Sequence, residues 1–170
     1  MPQAAIGKTE NLELSAPVKL DDDHDFSDFD CGERSINEYA KRARKAQLAK
    51  DAVVYVVTLK GASRVVAFYT LTNGSVVRAQ APKAMQRNAP EQYPVTVLGR
   101  LGVDKSIQGR GVAKALLQDA IERSLQAAEI VGSRAMLVHA LDPRLALFYQ
   151  RTAGFIPSPV SPMTLMLSLR

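Results

Sequence analysis

A chain of 170 residues with 46% hydrophobic residues is long enough for a compact core, and we predict one domain over residues 1–170 with a flexible start at about residues 1–10. The single cysteine, Cys31, excludes an internal disulfide framework and a cysteine-rich metal site, and no apolar run is long enough to span a membrane. The first residues lack the pattern of an export signal, so we expect a cytoplasmic protein with no membrane partner.

The formal net charge of +5 is unevenly distributed. An acidic run occupies residues 21–30, and a basic run occupies residues 41–50. This separation suits a polyanionic partner such as a nucleic acid, although a charge run is more commonly a solvated helix face.

In the first half of the chain, residues 31–50 predict a helix with Asp30 as its N-cap and Glu33 as the reciprocal capping partner. Residues 52–59 and 64–77 are rich in β-branched and aromatic side chains and predict a β-hairpin. Residues 79–94 contain three prolines and predict a connection with room for one helical turn.

In the second half, residues 95–103 predict a strand that is buried on both faces. Residues 111–132 predict a long helix, residues 134–141 a strand, residues 142–154 a helix with Pro143 at its first position and Gly154 past its end, and residues 163–169 a last strand. The order indicates a mixed α/β fold.

The stretch "IQGRGVAKALL" connects the strand at residues 95–103 to the long helix. Free backbone N–H groups and the positive end of the helix dipole converge there, and glycines leave space for a ligand to approach the backbone. The stretch therefore predicts an anion site. It is neither a P-loop nor a three-glycine dinucleotide motif.

The same stretch resembles the Q/R-x-x-G-x-G/A signature of the GCN5-related acetyltransferases (the GNAT family), with Gln108, Gly111 and Ala113 at the signature positions. Together with "FSDFDCGERSINEYAKRARKAQ", "YPVTVLGRLGVDKSIQGRGVAKALL" and "LFYQRTAGF", it resembles the acetyltransferase toxins of bacterial toxin–antitoxin pairs. The resemblance implies the α/β GNAT fold: a mixed, mostly antiparallel central sheet flanked by helices, with acetyl-coenzyme A in the cleft between two splayed parallel strands. It also implies acetyl transfer to the α-amino group of aminoacyl-tRNA, which blocks translation.

The resemblance further implies the roles of individual residues. Tyr149 would be the acid that protonates the departing thiolate of the coenzyme. The candidate coenzyme-binding residues lie at the end of the strand and in the following loop: Leu101, Gly102, Val103, Gln108, Gly109, Arg110, Gly111, Val112 and Ala113.

The strand at residues 95–103 contains no carboxylate that could deprotonate an amine, and Asp104 lies at its exit. A lysine side chain with a pKa near 10.4 would need such a base, whereas an α-amine titrates near 7.7 to 8.0. The missing base therefore favours an α-amine as acceptor.

An RNA substrate requires cations that contact phosphates. The candidates are Lys41, Arg44, Lys45, Arg78, Lys83, Arg87, Arg100 and Arg151, and for all of them except Arg100 the alternative is plain solubility. Arg100 lies inside an apolar strand, so we expect it to pair with a carboxylate or to face the substrate cleft. His139 is expected to end a strand with its ring hydrogen-bonded, Cys31 to pack beneath the first helix, and the acidic run not to bind a metal.

As partners, the resemblance implies a ribbon-helix-helix antitoxin, operator DNA bound only through the complex with that antitoxin, and a homodimer. Two other functions stay open from the sequence. The chain could acetylate a small amine or a protein N-terminus, or it could bind acetyl-coenzyme A as a regulatory module without turnover.

Overall fold

The structure is a computed structural model that describes residues 13–170 and divides into two compact units. Unit 1 comprises the described residues up to Thr70 together with Arg100–Asp119, and unit 2 comprises Leu71–Gly99 and Ala120–Arg170. The predicted flexible start at residues 1–10 lies outside the described residues, and the single domain stays a prediction.

Seven strands form one mixed sheet in the order β1-β2-β3-β4-β5-β7-β6. Their bounds are β1 Val18–Lys19, β2 Val53–Thr58, β3 Val65–Val77, β4 Gln92–Val103, β5 Ala135–His139, β6 Ile156–Pro157 and β7 Thr164–Ser168. The β4 and β5 strands pair in parallel from Val95 opposite Ala135 to Leu98 opposite Val138, and β4 then continues to Val103. The β1–β2, β5–β7 and β6–β7 pairs are antiparallel.

Residues 13–170 form five α-helices: α1 Arg34–Lys41, α2 Ala43–Leu48, α3 Lys83–Gln86, α4 Val112–Ile130 and α5 Pro143–Ala153. The last helix has the ends that its sequence predicts. The Asp142 side chain accepts a hydrogen bond from the Leu145 N–H, Pro143 begins the helix, and Gly154 ends it with a φ of 79°.

The prediction of one capped helix over residues 31–50 is wrong at its start and in its middle. The Asp30 carboxylate accepts hydrogen bonds from the Gly32 N–H and from Asn37 Nδ2, which forms a turn instead of a helix cap. The helix begins only at Arg34, Glu33 makes no side-chain capping bond, and Arg42 interrupts the helix with a φ of −120° and a ψ of 14°.

Each unit has its own apolar core. In unit 1, Phe68 of β3 contacts Phe26 and Phe29 edge-on and stacks on Tyr39 of α1. In unit 2, a second cluster includes Tyr93, Leu137 and Met166.

The strand predicted over residues 95–103 begins earlier, at Gln92, and is not buried throughout. Gly99 and Arg100 are exposed, so the prediction of burial on both faces is wrong at these two residues. The two-residue strands β1 and β6 were not predicted, because two residues are too few to show a period-2 pattern.

Gly102 of β4 lies where a side chain would not fit. A Cβ there would lie 2.8 Å from Cγ2 of Ile36 and 3.3 Å from Cζ of Phe29, and both of these residues belong to the buried core of unit 1. We expect Gly102→Ala to lower the free energy of unfolding by about 1–3 kcal/mol, the usual cost of overpacking a core. Chemical denaturation of the protein without coenzyme would measure it.

The matched control is Gly132→Ala, because a Cβ at Gly132 would have no heavy atom within 4 Å. A change within about 0.5 kcal/mol is expected there. Equal stability of the Gly102→Ala variant and the wild type would contradict the close packing of β4 on α1.

Candidate active site

The loop between β4 and α4 has open space beside two of its glycines. A short 3₁₀ turn at Lys105–Ile107 follows β4, and α4 begins at Val112. Gly109 and Gly111 have φ values of 78° and 82°, a region that side-chain-bearing residues rarely adopt, and a Cβ at either position would have nothing within 4 Å. The geometry therefore suits an anion at the start of α4, as the sequence predicts.

Arg110, between these glycines, has a nitrogen that needs a partner. Its Nη1 atom is buried and has no hydrogen-bond partner within residues 13–170. A buried donor without an acceptor is costly, and a phosphate oxygen is an acceptor that would satisfy it. The loop therefore fits the pyrophosphate of a coenzyme.

Gln108, the first residue of the signature, uses its side-chain nitrogen for hydrogen bonds within the protein. Its Nε2 atom donates to the carbonyl oxygens of Cys31 and Val103, both at 2.8 Å. The side chain joins the loop to the turn before α1 and to the end of β4. The carboxamide nitrogen thus supports the loop from within the protein.

Asp104, at the exit of β4, is a buried structural carboxylate. It accepts hydrogen bonds from the backbone N–H groups of Asp30 and Ser106, from the Ser106 hydroxyl at 2.8 Å, and from Arg64 Nη2 at 3.3 Å. Burial alone would raise the pKa of Asp104, but these hydrogen bonds and the Arg64 charge outweigh it and lower the pKa. The group is therefore ionised and fully engaged, which makes it unsuited to act as a base.

The segment Leu101, Gly102 and Val103 forms the last residues of β4 and packs close to the turn before α1. Gly102 and Val103 are buried, and the Cys31 sulfur lies 3.5 Å from the Cβ that Gly102 lacks. As expected, Cys31 packs against the core that includes α1 residues.

Tyr149 lies on α5 in unit 2. It is 9% exposed, and its ring contacts those of Phe148 and Phe155, with centroids 5.3 and 5.6 Å away. Burial raises the pKa of Tyr149 to about 12, so the hydroxyl is protonated at any physiological pH.

Arg100 does not pair with a carboxylate within the described part of the chain. Its guanidinium carbon lies 4.5 Å from the centroid of the Tyr39 ring, and Arg42 approaches the same ring at 5.4 Å. Burial raises the pKa of Tyr39, and the two arginine charges offset this only in part. Neither Arg42 nor Tyr39 is a site candidate from the sequence, because no local pattern shows that Arg100 of β4 contacts this helix.

The remaining RNA candidates fall into two groups. Arg44 donates from Nη2 to the carbonyl oxygens of Asp21 and His24, and Arg78 donates to the Ala89 carbonyl and pairs with Glu91 at 3.1 Å. These two hold neighbouring loops of the chain itself. The other candidates lie exposed at the surface: Lys41, which is 3.7 Å from Glu38, and Lys45, Lys83, Arg87 and Arg151.

His139, the possible metal ligands and the helix lengths complete the description of the sequence-predicted features. His139 ends β5, and its Nδ1 atom is hydrogen-bonded to Thr164 Oγ1 at 2.9 Å, as predicted. Among residues 13–170 no group of three or more His, Cys, Asp or Glu side chains is placed to hold a metal ion. In the same part of the chain no helix has the length and apolar character to cross a membrane.

The fold is that of an acyl-coenzyme-dependent transferase. The chain belongs to the acetyltransferase (GNAT) family, which it matches over residues 20–155. The mixed seven-stranded sheet flanked by helices is the GNAT fold, as predicted. The chain is 42% identical over 156 residues to the tRNA-acetylating toxin of Mycobacterium tuberculosis (strain ATCC 25618 / H37Rv), covering 92% of this chain and 93% of that protein.

Two solved structures are also similar to the chain. AtaT complexed with acetyl-methionyl-tRNAfMet superposes with a TM-score of 0.83 at 29% identity, covering 92% of this chain and 95% of that chain. A Tyr-to-Phe mutant of the AtaT toxin, bound to the C-terminus of the antitoxin AtaR and acetyl-CoA, superposes with a TM-score of 0.76 at 26% identity, covering 92% and 93%.

The lowered pKa of Asp104 makes a prediction about acid stability. We expect Asp104→Asn to lower the free energy of unfolding at pH 7 by about 1–3 kcal/mol, because an amide cannot replace a carboxylate that accepts four hydrogen bonds. The stabilisation is fully present above the unfolded value near 3.9 and is lost as the pH falls through the lower folded-state pKa. The difference between variant and wild type should therefore shrink below pH 4.

Urea unfolding between pH 7 and pH 2 would measure this convergence. The exposed Asp22→Asn variant serves as control, with a change within about 0.5 kcal/mol. A constant difference at every pH would show that the carboxylate charge of Asp104 has no special role.

Proposed function

We propose that the chain is an acetyltransferase toxin that transfers the acetyl group of acetyl-coenzyme A to the α-amino group of aminoacyl-tRNA and thereby blocks translation. The observation that carries the proposal is the 42% identity to a tRNA-acetylating toxin over nearly the full length of both chains. Unit 1 contains the proposed coenzyme site, and unit 2 contains the proposed proton donor.

The proposed coenzyme site is the loop from Gly109 to Ala113 with the end of β4. Its two glycines with positive φ leave the space, and Arg110 offers the donor without a partner. The N–H groups at the start of α4 would bind the pyrophosphate, and residues Leu101, Gly102 and Val103 would hold the pantetheine and the thioester carbonyl. Gln108 contributes by supporting the loop.

The proposed acceptor is an α-amine because the chain offers no free base on β4. Residues 95–103 contain no carboxylate, and the hydrogen bonds of Asp104 are used within the protein. An α-amine titrates near 7.7 to 8.0, and the adjacent ester lowers that value, so a large share of the substrate is neutral at physiological pH.

The proposed acid is Tyr149. The attack of the amine on the thioester forms the C–N bond, breaks the C–S bond, and moves one proton in total from nitrogen to sulfur. Tyr149 still holds its proton at about pH 8 to 10, where the amine is already neutral, since burial raises its pKa to about 12. A similar solved structure is a Tyr-to-Phe mutant of the toxin AtaT bound to acetyl-CoA, which supports the choice of a tyrosine as the acid.

The proposed partners are those that the resemblance to the toxins of toxin–antitoxin pairs implies. A ribbon-helix-helix antitoxin would neutralise the toxin, the complex would bind operator DNA, and the toxin would form a homodimer in the cytoplasm. The net charge of +5 and the exposed cations Lys45, Lys83, Arg87 and Arg151 are compatible with both RNA and an acidic antitoxin segment.

The first test is acetyl transfer to charged total tRNA by the wild type and by Tyr149→Phe. We expect the variant to lose about 10²- to 10⁴-fold in kcat/KM, the usual contribution of a general acid, with an unchanged dissociation constant for acetyl-CoA. The wild-type rate should rise with pH through the pKa of the amine, with no fall from Tyr149 below about pH 10. Tyr93→Phe, which also removes a buried hydroxyl in unit 2, is the control and should stay active.

The outcomes separate the alternative functions. Acetylation of free amines but not of aminoacyl-tRNA would point to a small-amine or N-terminal acetyltransferase. Binding of acetyl-CoA without any transfer would point to a regulatory module. Full activity of Tyr149→Phe on aminoacyl-tRNA would reject the acid while keeping the substrate.

The coenzyme site has its own test at Arg110. We expect Arg110→Gln to raise the dissociation constant of acetyl-CoA about 10-fold or more, because a charge-assisted hydrogen bond to phosphate is lost. Calorimetric titration measures it, and Lys114→Gln, which removes one exposed charge in the first turn of α4, is the matched control. Equal affinities of wild type and Arg110→Gln would place the pyrophosphate elsewhere.

A further inference from the structure

Two arginines of unit 1 share one tyrosine ring. The guanidinium carbons of Arg100 and Arg42 lie 4.5 and 5.4 Å from the centroid of Tyr39. Arg100 comes from β4 and Arg42 from the interruption between α1 and α2, so two separate elements bring a charge to the same ring. Both side chains are exposed.

The tyrosine is a rigid support for these charges. Tyr39 is only 5% exposed, and its ring stacks on Phe68 with an interplanar angle of 9°. A ring that is covered in this way is unavailable for stacking with a nucleotide base. What this place offers to a ligand is the pair of guanidinium groups.

The pair has no ion-pair partner among residues 13–170. Neither arginine forms an ion pair within residues 13–170, although Asp51 lies close enough to act on the pKa of Tyr39. Two like charges on one ring repel each other, and an anion bound between them would remove that repulsion. Planar guanidinium groups match phosphate oxygens in particular.

The position of Arg42 and Arg100 indicates which phosphate of the substrate they would contact. Arg100 directly precedes Leu101, the first residue of the segment proposed to hold the thioester, and consecutive Cα atoms are about 3.8 Å apart. In an aminoacyl-tRNA, the phosphodiesters nearest the reactive amine belong to the single-stranded 3′ end. These are the phosphates that would come close to Arg100 when the amine meets the thioester.

We infer that Arg42 and Arg100, supported by Tyr39, bind a phosphodiester of the single-stranded 3′ end of the aminoacyl-tRNA. This inference rests on the proposed function and deepens it. Since phosphate contacts carry no sequence information, the pair holds the 3′ end of any charged tRNA and leaves the choice of tRNA to other residues.

The test compares Arg42→Gln, Arg100→Gln and the double variant on two substrates, aminoacyl-tRNA and an aminoacylated trinucleotide of the 3′ end. We expect each single variant to raise the KM for both substrates about 10-fold, with little change in kcat and an unchanged KM for acetyl-CoA. Each lost phosphate contact should also reduce the slope of log(kcat/KM) against log[salt] by about 0.7 to 1.

Three controls define the role of each group. Arg144→Gln removes an exposed charge in unit 2 and should leave both KM values unchanged. Tyr39→Phe keeps the ring and should match the wild type, whereas Tyr39→Leu removes the support and should raise the KM for RNA as the arginine variants do. Thermal unfolding of Tyr39→Leu separates this effect from loss of the fold.

Several results would overturn the inference. A raised KM for acetyl-CoA would assign the pair to a phosphate of the coenzyme, and an effect on full tRNA but not on the trinucleotide would assign it to the body of the tRNA. If the wild type acetylates no aminoacyl-tRNA, the proposed function fails. Direct binding of the uncharged trinucleotide then still tests the pair, because the double variant should bind it more weakly than the wild type.

Discussion

A buried carboxylate at the exit of β4 holds the anion loop and the turn before α1 in one arrangement. Asp104 accepts from the Asp30 N–H, and the Lys105 N–H donates to the Asp30 carbonyl in return. Gln108 adds a third connection through the Cys31 carbonyl. Because a buried charge is tolerated only when its hydrogen bonds are complete, these contacts form or fail together. The strand end, the glycine loop and the start of α1 in unit 1 therefore depend on the same small set of polar groups.

The sequence predicts those parts of the fold whose determinants are local. The ends of α5 follow from Asp142, Pro143 and Gly154, each of which acts within one helical turn. The predicted start of α1 was wrong because the Asp30 carboxylate can either cap a helix or close a turn. In the structure it closes a turn by accepting hydrogen bonds from Gly32 and Asn37. The Asp30 N–H donates to Asp104, which lies 74 residues away and does not appear in the local sequence pattern. Long-range hydrogen bonds decide between local alternatives, and no local pattern contains them.

In the candidate site, too, the features with local determinants could be predicted and those that depend on long-range contacts could not. The glycine loop could be predicted, since Gly109 and Gly111 precede an evident helix and the structure gives both a positive φ. Among the cations, residue type alone could not separate Arg44 and Arg78, which bond to backbone carbonyl groups, from residues that face solvent. Arg42 and Tyr39 could not be found as site candidates, because Arg100 contacts the Tyr39 ring from a strand far along the chain and no local pattern shows that contact.

The protonation states of Asp104 and Tyr149 agree with the proposed acceptor and the proposed proton donor. Asp104, the carboxylate that follows β4 in the chain, is ionised and engaged in hydrogen bonds, which agrees with a proposed acceptor amine that is neutral without a base on this strand. Tyr149, whose pKa is raised by burial, retains its proton, which a proton donor requires and which excludes the role of a base. An enzyme with a proton donor and no free base on this strand is selective for acceptors of low pKa. An amino acid esterified to tRNA is such an acceptor, whereas a lysine side chain is protonated in almost every molecule at the same pH.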